Sequence, residues 1–323
     1  MQRGLAANAF KGRTGNGAAF AFGTLRAVKH LSRKNQGLIA INIAAVIFGS
    51  AALYGRLPVS PFWIVAMRAL FAAAGLLAVG LARSSVRKLP RGLLKSIVAT
   101  GVLLAIHWVT FFLSVQWGGV AIATLTFAGF PLFTVLIECR RAKRRLHTSE
   151  LLAGVVIIVA VASLLDRRST AGAGAMAGVV AGVACAIAFA YFGVASKGLA
   201  RDLSALQVSL YQNIVVFTVL LPFLPFAWPT PHGGEIWLWL VLLGVVTTAL
   251  MHQLYFYALQ RLSASTCSGF IALEPVYAII FAAILFRDPI TIRVAIAGAL
   301  IIGASIILHR LEAVGDQGVV DMF

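Results

Sequence analysis

Acidic side chains are scarce in this chain. Asp and Glu number 10 in 323 residues, and charged residues of both signs make up 11%. Soluble domains carry about 25%, so this sequence lacks the charge to cover a water-facing surface. Cysteine is also sparse. Cys139, Cys185 and Cys267 stand alone in or beside apolar stretches, with no metal-ligand spacing and no disulfide framework. Catalytic signatures are missing too. There is no Walker sequence to hold ATP, no HExxH, no GxSxG and no paired catalytic carboxylates. These patterns call for no cofactor and no metal.

What the chain has instead is apolar length. Hydrophobic residues reach 60%, and runs of about 18 or more apolar residues read as membrane spans. Ten such runs fall at 36–55, 62–82, 93–117, 119–138, 149–166, 174–197, 205–228, 236–259, 264–286 and 291–309. They are continuously apolar rather than alternating, which excludes a membrane β-barrel. The fold class is therefore an all-α membrane protein with ten transmembrane helices.

The net charge of +17 raises nucleic acid as a partner, but its distribution points to the bilayer. With ten spans, both termini share one side. Segments on that side hold 21 of the 27 Lys and Arg; the opposite loops hold Arg56, Arg167, Arg168, Arg287 and Arg293, and Arg68 lies inside a span. This is the positive-inside pattern, and it places both termini in the cytoplasm of a bacterial inner-membrane protein. The cluster Arg140, Arg141, Lys143, Arg144 and Arg145 reads as a topology signal touching anionic lipid. Residues 1–35 read as a basic cytoplasmic tail without a secretory signal, and 311–323 as a cytoplasmic C-terminal tail.

A shift of 144 residues lays the second half on the first. Pro131 falls on Pro275, Gln116 on Gln260, Gly154 on Gly298 and Ser60 on Ser204. The halves are 36–168 and 169–310, each with five spans. An odd number of spans requires the second half to be inserted upside down. Inverted repeats mark secondary transporters, with the substrate near the midplane between the halves. Channels and membrane enzymes can be duplicated as well, so the repeat favours transport over them. Pro131 and Pro275 sit at equivalent points in the fourth and ninth spans. Each is expected to remove a hydrogen bond from a continuous helix and act as a hinge.

Polar groups inside spans supply the candidate site, because they are expensive in a bilayer. The set is His107, Trp108, Tyr211, Gln212, His252, Tyr255 and Glu274. His107 can exchange a proton near neutral pH or hydrogen-bond a substrate. His252 and Tyr255, three residues apart, share a helix face. Glu274 is assigned to a substrate ammonium group or a coupled proton. Arg68 can meet a substrate carboxylate, but such arginines more often snorkel or tie carbonyls between helices, so it stands outside the set. Tyr54, Trp117 and Trp237 lie near span ends and are expected in the interfacial aromatic belt. Gly174, Gly178, Gly182, Ala186 and Ala190 form a small-residue stripe for close helix packing.

Two stretches carry a family resemblance. "GFIALEPVYAIIFAAILFRDPITIRVAIAGALIIGASIIL" and "VSPFWIVAMRALFAAAGLLAV" resemble the drug/metabolite transporter superfamily, EamA type. The likeness runs over about 36–309 and is similar in overall look to bacterial amino-acid exporters of the YddG kind. Three departures stand out. Asp288 replaces the family's glutamate in the turn before the last helix, Arg144 occupies the same place in the first repeat, and Phe130 is the repeat partner of Glu274. The resemblance implies export of small metabolites, most of all amino acids including aromatic ones, by alternating access with broad specificity. Drug, cation or sugar-nucleotide transport on the same scaffold is the main alternative. An intramembrane lipid-modifying enzyme would need a catalytic pair or metal cluster, and none is found in the sequence.

Overall fold

Inside a bilayer every backbone N–H and C=O must find a partner within its own segment, so long apolar runs fold as helices. The computed structural model describes residues 32–86, 88–143, 145–164, 172–196, 198–259, 261–262, 270–271 and 273–320. The basic N-terminal tail up to residue 31, Arg144, Arg167, Arg168, Gln260 and Cys267 lie outside the described residues. Among the described residues there are helices and no strands.

In chain order the helices are α1 Arg33–Ala51, running on as a 3-10 turn Ala52–Arg56; α2 Pro61–Ala82; α3 Leu94–Phe127; α4 Phe130–Ala142; α5 Thr148–Ser163; and α6 Gly172–Ser196. They continue with the short α7 Leu199–Asp202; α8 Ala205–Leu220; α9 Gly234–Gly244; a π-helical turn Val245–Leu250; α10 Met251–Leu259; α11 Glu274–Phe286; and α12 Ile292–Val320. Six helical stretches are long and apolar enough to cross a membrane: Arg33–Arg56, Pro61–Ala82, Arg91–Phe127, Gly174–Ser196, Ala205–Phe226 and Gly234–Tyr255. Thr148–Ser163, Glu274–Phe286 and Ile292–Ile307 are apolar but shorter. The last helix continues past the expected end of its span at 309 and into the segment read as a tail.

Helix boundaries recur at the spacing found in the sequence. α2 starts at Pro61 and α8 at Ala205, α4 covers 130–142 and α11 covers 274–286, and α5 starts at Thr148 and α12 at Ile292. Each difference (205 − 61, 274 − 130, 292 − 148) is 144. Even the terminators match: Lys143 and Arg287 end α4 and α11 in the left-handed conformation, at φ 51° and 57°. The packing partners match as well. α1 lies against α10 and α11, and α6 against α3 and α4; α9 lies on α2, and α3 on α8; α2 pairs with α8, and α5 with α12.

The prolines behave differently from the expectation. Pro131 and Pro275 do not bend continuous helices. α3 ends at Phe127, Ala128 and Gly129 form a turn, and α4 begins at Phe130 with Pro131 in its first turn. On the other side Leu273 forms the turn, and α11 begins at Glu274 with Pro275 in its first turn. The first-turn N–H of a helix has no intrahelical acceptor, so proline loses nothing there and presets φ. Both prolines therefore start half-helices. A second break falls at Gly119, where φ of 84° interrupts α3 between the third and fourth apolar runs.

Small residues let the helices touch. A Cβ on Gly178 of α6 would come within 2.6 Å of the Gly118 Cα on α3, and Ser114 Oγ donates to the Gly178 carbonyl at 2.6 Å. Gly244 lies over the Arg68 carbonyl and Gly101 over the Gln212 carbonyl, the repeat-related position. At one end of the bundle Arg56 forms an ion pair with Asp288 and sits 5.4 Å from the Phe286 ring centroid.

A candidate substrate site around a buried arginine

Arg68 lies two turns into α2 and is 3% exposed. It does not snorkel. Its Nε donates to Thr248 Oγ1 at 2.8 Å, and its guanidinium carbon stands 4.0 Å from the centroid of the Trp108 ring. Among the described residues, no hydrogen bond is made by its two terminal nitrogens. A guanidinium offers five donors in a fixed fork, so its carboxylate-binding edge is left open.

The partner threonine is held by a local irregularity. Val245–Leu250 is π-helical, and π turns often mark functional positions. Thr247 and Thr248 both donate to the Leu243 carbonyl, at 2.6 and 2.9 Å. The same turn presents the Thr248 carbonyl to His252 Nδ1 at 2.6 Å. One residue thus fixes both Arg68 and His252.

Glu274 is 4% exposed and opens α11, a position where the helix dipole favours negative charge. It lies within electrostatic reach of Arg68. Yet Arg68 and Glu274 make no ion pair, and among the described residues no hydrogen bond reaches the Glu274 carboxylate. Tyr54, His107 and His252 also lie within electrostatic reach of Arg68. His107 Nδ1 is 3.1 Å from Cys185 Sγ and 3.2 Å from the Cys185 carbonyl. Its ring stands against Phe189 at 4.8 Å and Phe127 at 5.1 Å between centroids.

Of the residues singled out in the sequence, Trp108 stacks on Arg68, His252 shares Thr248 with it, and His107 and Glu274 lie within its electrostatic reach. The other three have these neighbours. Gln212 donates to Thr100 Oγ1 at 3.0 Å and Ser196 Oγ at 3.4 Å, joining α8 to α3 and α6. Tyr211 packs against the cluster of Ile97, Leu199 and Leu203. Tyr255 packs with Ile41, Met251 and Ala258. A separation of three residues leaves side chains about 60° apart around a helix axis, which is enough to turn Tyr255 toward α1 while His252 keeps to the π turn. Tyr54 meets Trp239 edge-on at 6.2 Å and packs, half-buried, against the core.

The sequence reading left Arg68 outside the candidate set and did not single out Thr248. Arg68 had a usable signal, being the one basic residue well inside an apolar run, and ionisable residues at membrane depth default to function. Thr248 had none, because a π turn leaves no mark in residue spacing.

Apolar helices long enough to span a bilayer, with a buried cation and carboxylate at their centre, define a multi-pass membrane protein that holds a polar group away from water. The EamA-like transporter family model matches residues 35–165 and 176–310, and the chain belongs to that family. The family is one of transporters rather than enzymes. A relative from Bacillus subtilis (strain 168), described as the uncharacterized transporter YxxF, is 23% identical over 253 residues, covering 77% of this chain and 81% of that protein. A solved crystal structure superposes with a TM-score of 0.61 at 21% identity, over 86% of this chain and 98% of the other. The expected EamA resemblance is thus borne out at the level of the family, not of the YddG kind.

Proposed function

We propose that this protein is an inner-membrane secondary transporter that exports amino acids, aromatic ones included, with broad specificity by alternating access. The observation that carries this reading is the unpaired couple of Arg68 and Glu274. A buried carboxylate is costly unless it is paired or hydrogen-bonded, and here both charges are buried within reach of each other without direct contact. A zwitterion meets both needs at once: its carboxylate fits the open edge of Arg68 and its ammonium fits Glu274. His107 and His252 flank the pair and are the candidates for any coupled proton.

Ten transmembrane helices in two inverted five-helix repeats complete the proposal. The recurrence of helix boundaries at one offset and the matching packing partners support it. Pro131 and Pro275 serve as hinges at the two helix breaks, where the chain bends without breaking helix hydrogen bonds.

Counterflow in proteoliposomes tests the reading, using purified full-length protein and a panel of labelled amino acids. Glu274→Gln keeps the shape and removes the charge. Apparent affinity should fall roughly tenfold or more, the size of one lost charge-assisted hydrogen bond, with the folded yield unchanged. Unaltered affinity in the variant would leave Glu274 a structural group and overturn the proposal. Organic cations that depend on Glu274 but not on Arg68 would point to the drug or cation reading. Anionic sugar nucleotides would show the reverse dependence.

A further inference from the structure

The two helix breaks occupy equivalent places but carry different chemistry. α11 opens on Glu274-Pro275 and α4 opens on Phe130-Pro131, residues 144 apart (274 − 130). Where the second half puts a carboxylate, the first puts a phenyl ring. That ring does not pack alone. Phe130 stands 4.9 Å from Phe189, edge to face, and 5.5 Å from Phe127, stacked. Phe127 and Phe189 in turn hold His107. Phe127 is buried, while Phe130 and Phe189 are only partly so.

This aromatic group borders the charged one. His107 packs within the aromatic group, and its chain neighbour Trp108 stacks against Arg68 at 4.0 Å. Cys185, bonded to His107, lies within electrostatic reach of Glu274. Along α3 the stacking partner of Arg68, Trp108, and the ring that meets Phe127 and Phe189, His107, are consecutive residues, so the aromatic group lies beside the charged one. Aromatic pairs prefer edge-to-face or offset contacts, with centroids about 4.5–7 Å apart. The rings already adopt these arrangements with each other, and a substrate ring would meet the same faces and edges as Phe130 moves aside.

We propose that Phe130, Phe127 and Phe189 form the side-chain subsite of the transporter, selecting an aromatic ring or a large apolar side chain on a substrate whose charged end lies at Glu274 and Arg68. The proposal rests on the zwitterion reading for the charged end alone. Phe130 is the specificity-determining residue, because it sits on the start of a half-helix and can swing with it. Phe127 and Phe189 are the fixed walls.

The test is competition against a labelled substrate in proteoliposomes, comparing phenylalanine, leucine, alanine and the carboxylate-free amine phenethylamine. Phe130→Ala should lower the ratio of aromatic to small-substrate kcat/KM by about tenfold, within the usual discrimination of an apolar pocket. Phe130→Leu retains bulk but loses the ring, so it should erase the preference for phenylalanine over leucine; it also serves if the alanine variant folds poorly. A ratio unchanged in both variants sinks the subsite while leaving the zwitterion reading intact. If phenethylamine competes well, depends on Phe130 and is indifferent to Arg68, the subsite stands and the zwitterion reading falls. Absence of competition by phenylalanine and phenethylamine overturns the subsite, and failure of leucine and alanine as well overturns the zwitterion reading.

Discussion

Arg68 shows how one side chain is kept charged and available inside a bilayer. Its flat face is covered by Trp108 and its Nε is bonded to Thr248. A cation over an indole face is attracted by the ring's quadrupole, by as much as about 2 kcal/mol when water is excluded. Lysine would carry the charge but could neither stack nor present a planar fork. Arg68→Lys should therefore lower affinity for amino acids by roughly tenfold, while competition by amines without a carboxylate stays near the wild-type level. Binding measured by thermal shift in detergent, with both ligand types, checks this. Equal loss for both classes would mean that the arginine only props the site. Glu274 is complementary: it opens α11, where the helix dipole favours negative charge, and among the described residues no hydrogen bond reaches its carboxylate.

Among the helices, the closest meeting is between α3 and α6. Gly118 and Gly178 pass so near that a side chain on Gly178 would collide with backbone, which cannot move aside as a flexible side chain can. Gly193, on the same helix, has nothing within 4 Å of where a Cβ would stand. Overpacking a tight contact costs about 1–3 kcal/mol. Gly178→Val should lower the melting temperature in detergent by several degrees, about 2–8 °C for a loss of that order, whereas Gly193→Ala should leave it unchanged. Comparable melting of the two variants would remove the crossing from the stability argument. This contact also bears on the site, since α3 carries His107 and Trp108 while α6 carries Cys185 and Phe189. Loosening the crossing separates the aromatic subsite from the charged one.

For the molecule as a whole, orientation follows from charge. The sequence from the last turn of α4 to the start of α5 carries Arg140, Arg141, Lys143, Arg144 and Arg145, and basic segments of this kind are expected on the cytoplasmic side. In the proposed inverted arrangement α4 and α11 run in opposite senses, which puts the Arg56–Asp288 ion pair at the opposite end. A single cysteine at position 141 should resist an impermeant thiol reagent on intact cells, in a background lacking the native cysteines. One at position 289 should react readily. The reverse pattern would turn the protein over and convert the proposed exporter geometry into its mirror.

The sequence alone determined the membrane class, the helix positions and the 144-residue repeat. These depend on properties that add up along the chain: apolar length, loop charge, and proline or serine at helix starts. It also singled out His107, Trp108, His252 and Glu274, since a polar or aromatic residue of this kind in an apolar run is visible without coordinates. It gave no neighbours for Tyr211, Gln212 and Tyr255, because lying in a span does not say which neighbour a side chain meets. It read Pro131 and Pro275 as kinks, because a proline within a run looks the same whether the helix bends or stops and restarts. Only the tertiary structure made Arg68 the centre. That role depends on Trp108 and Thr248, 40 and 180 residues away (108 − 68, 248 − 68), arriving on other helices, and on a π turn that rotates Thr248 inward. No local pattern encodes such an encounter; it is settled by how the helices pack.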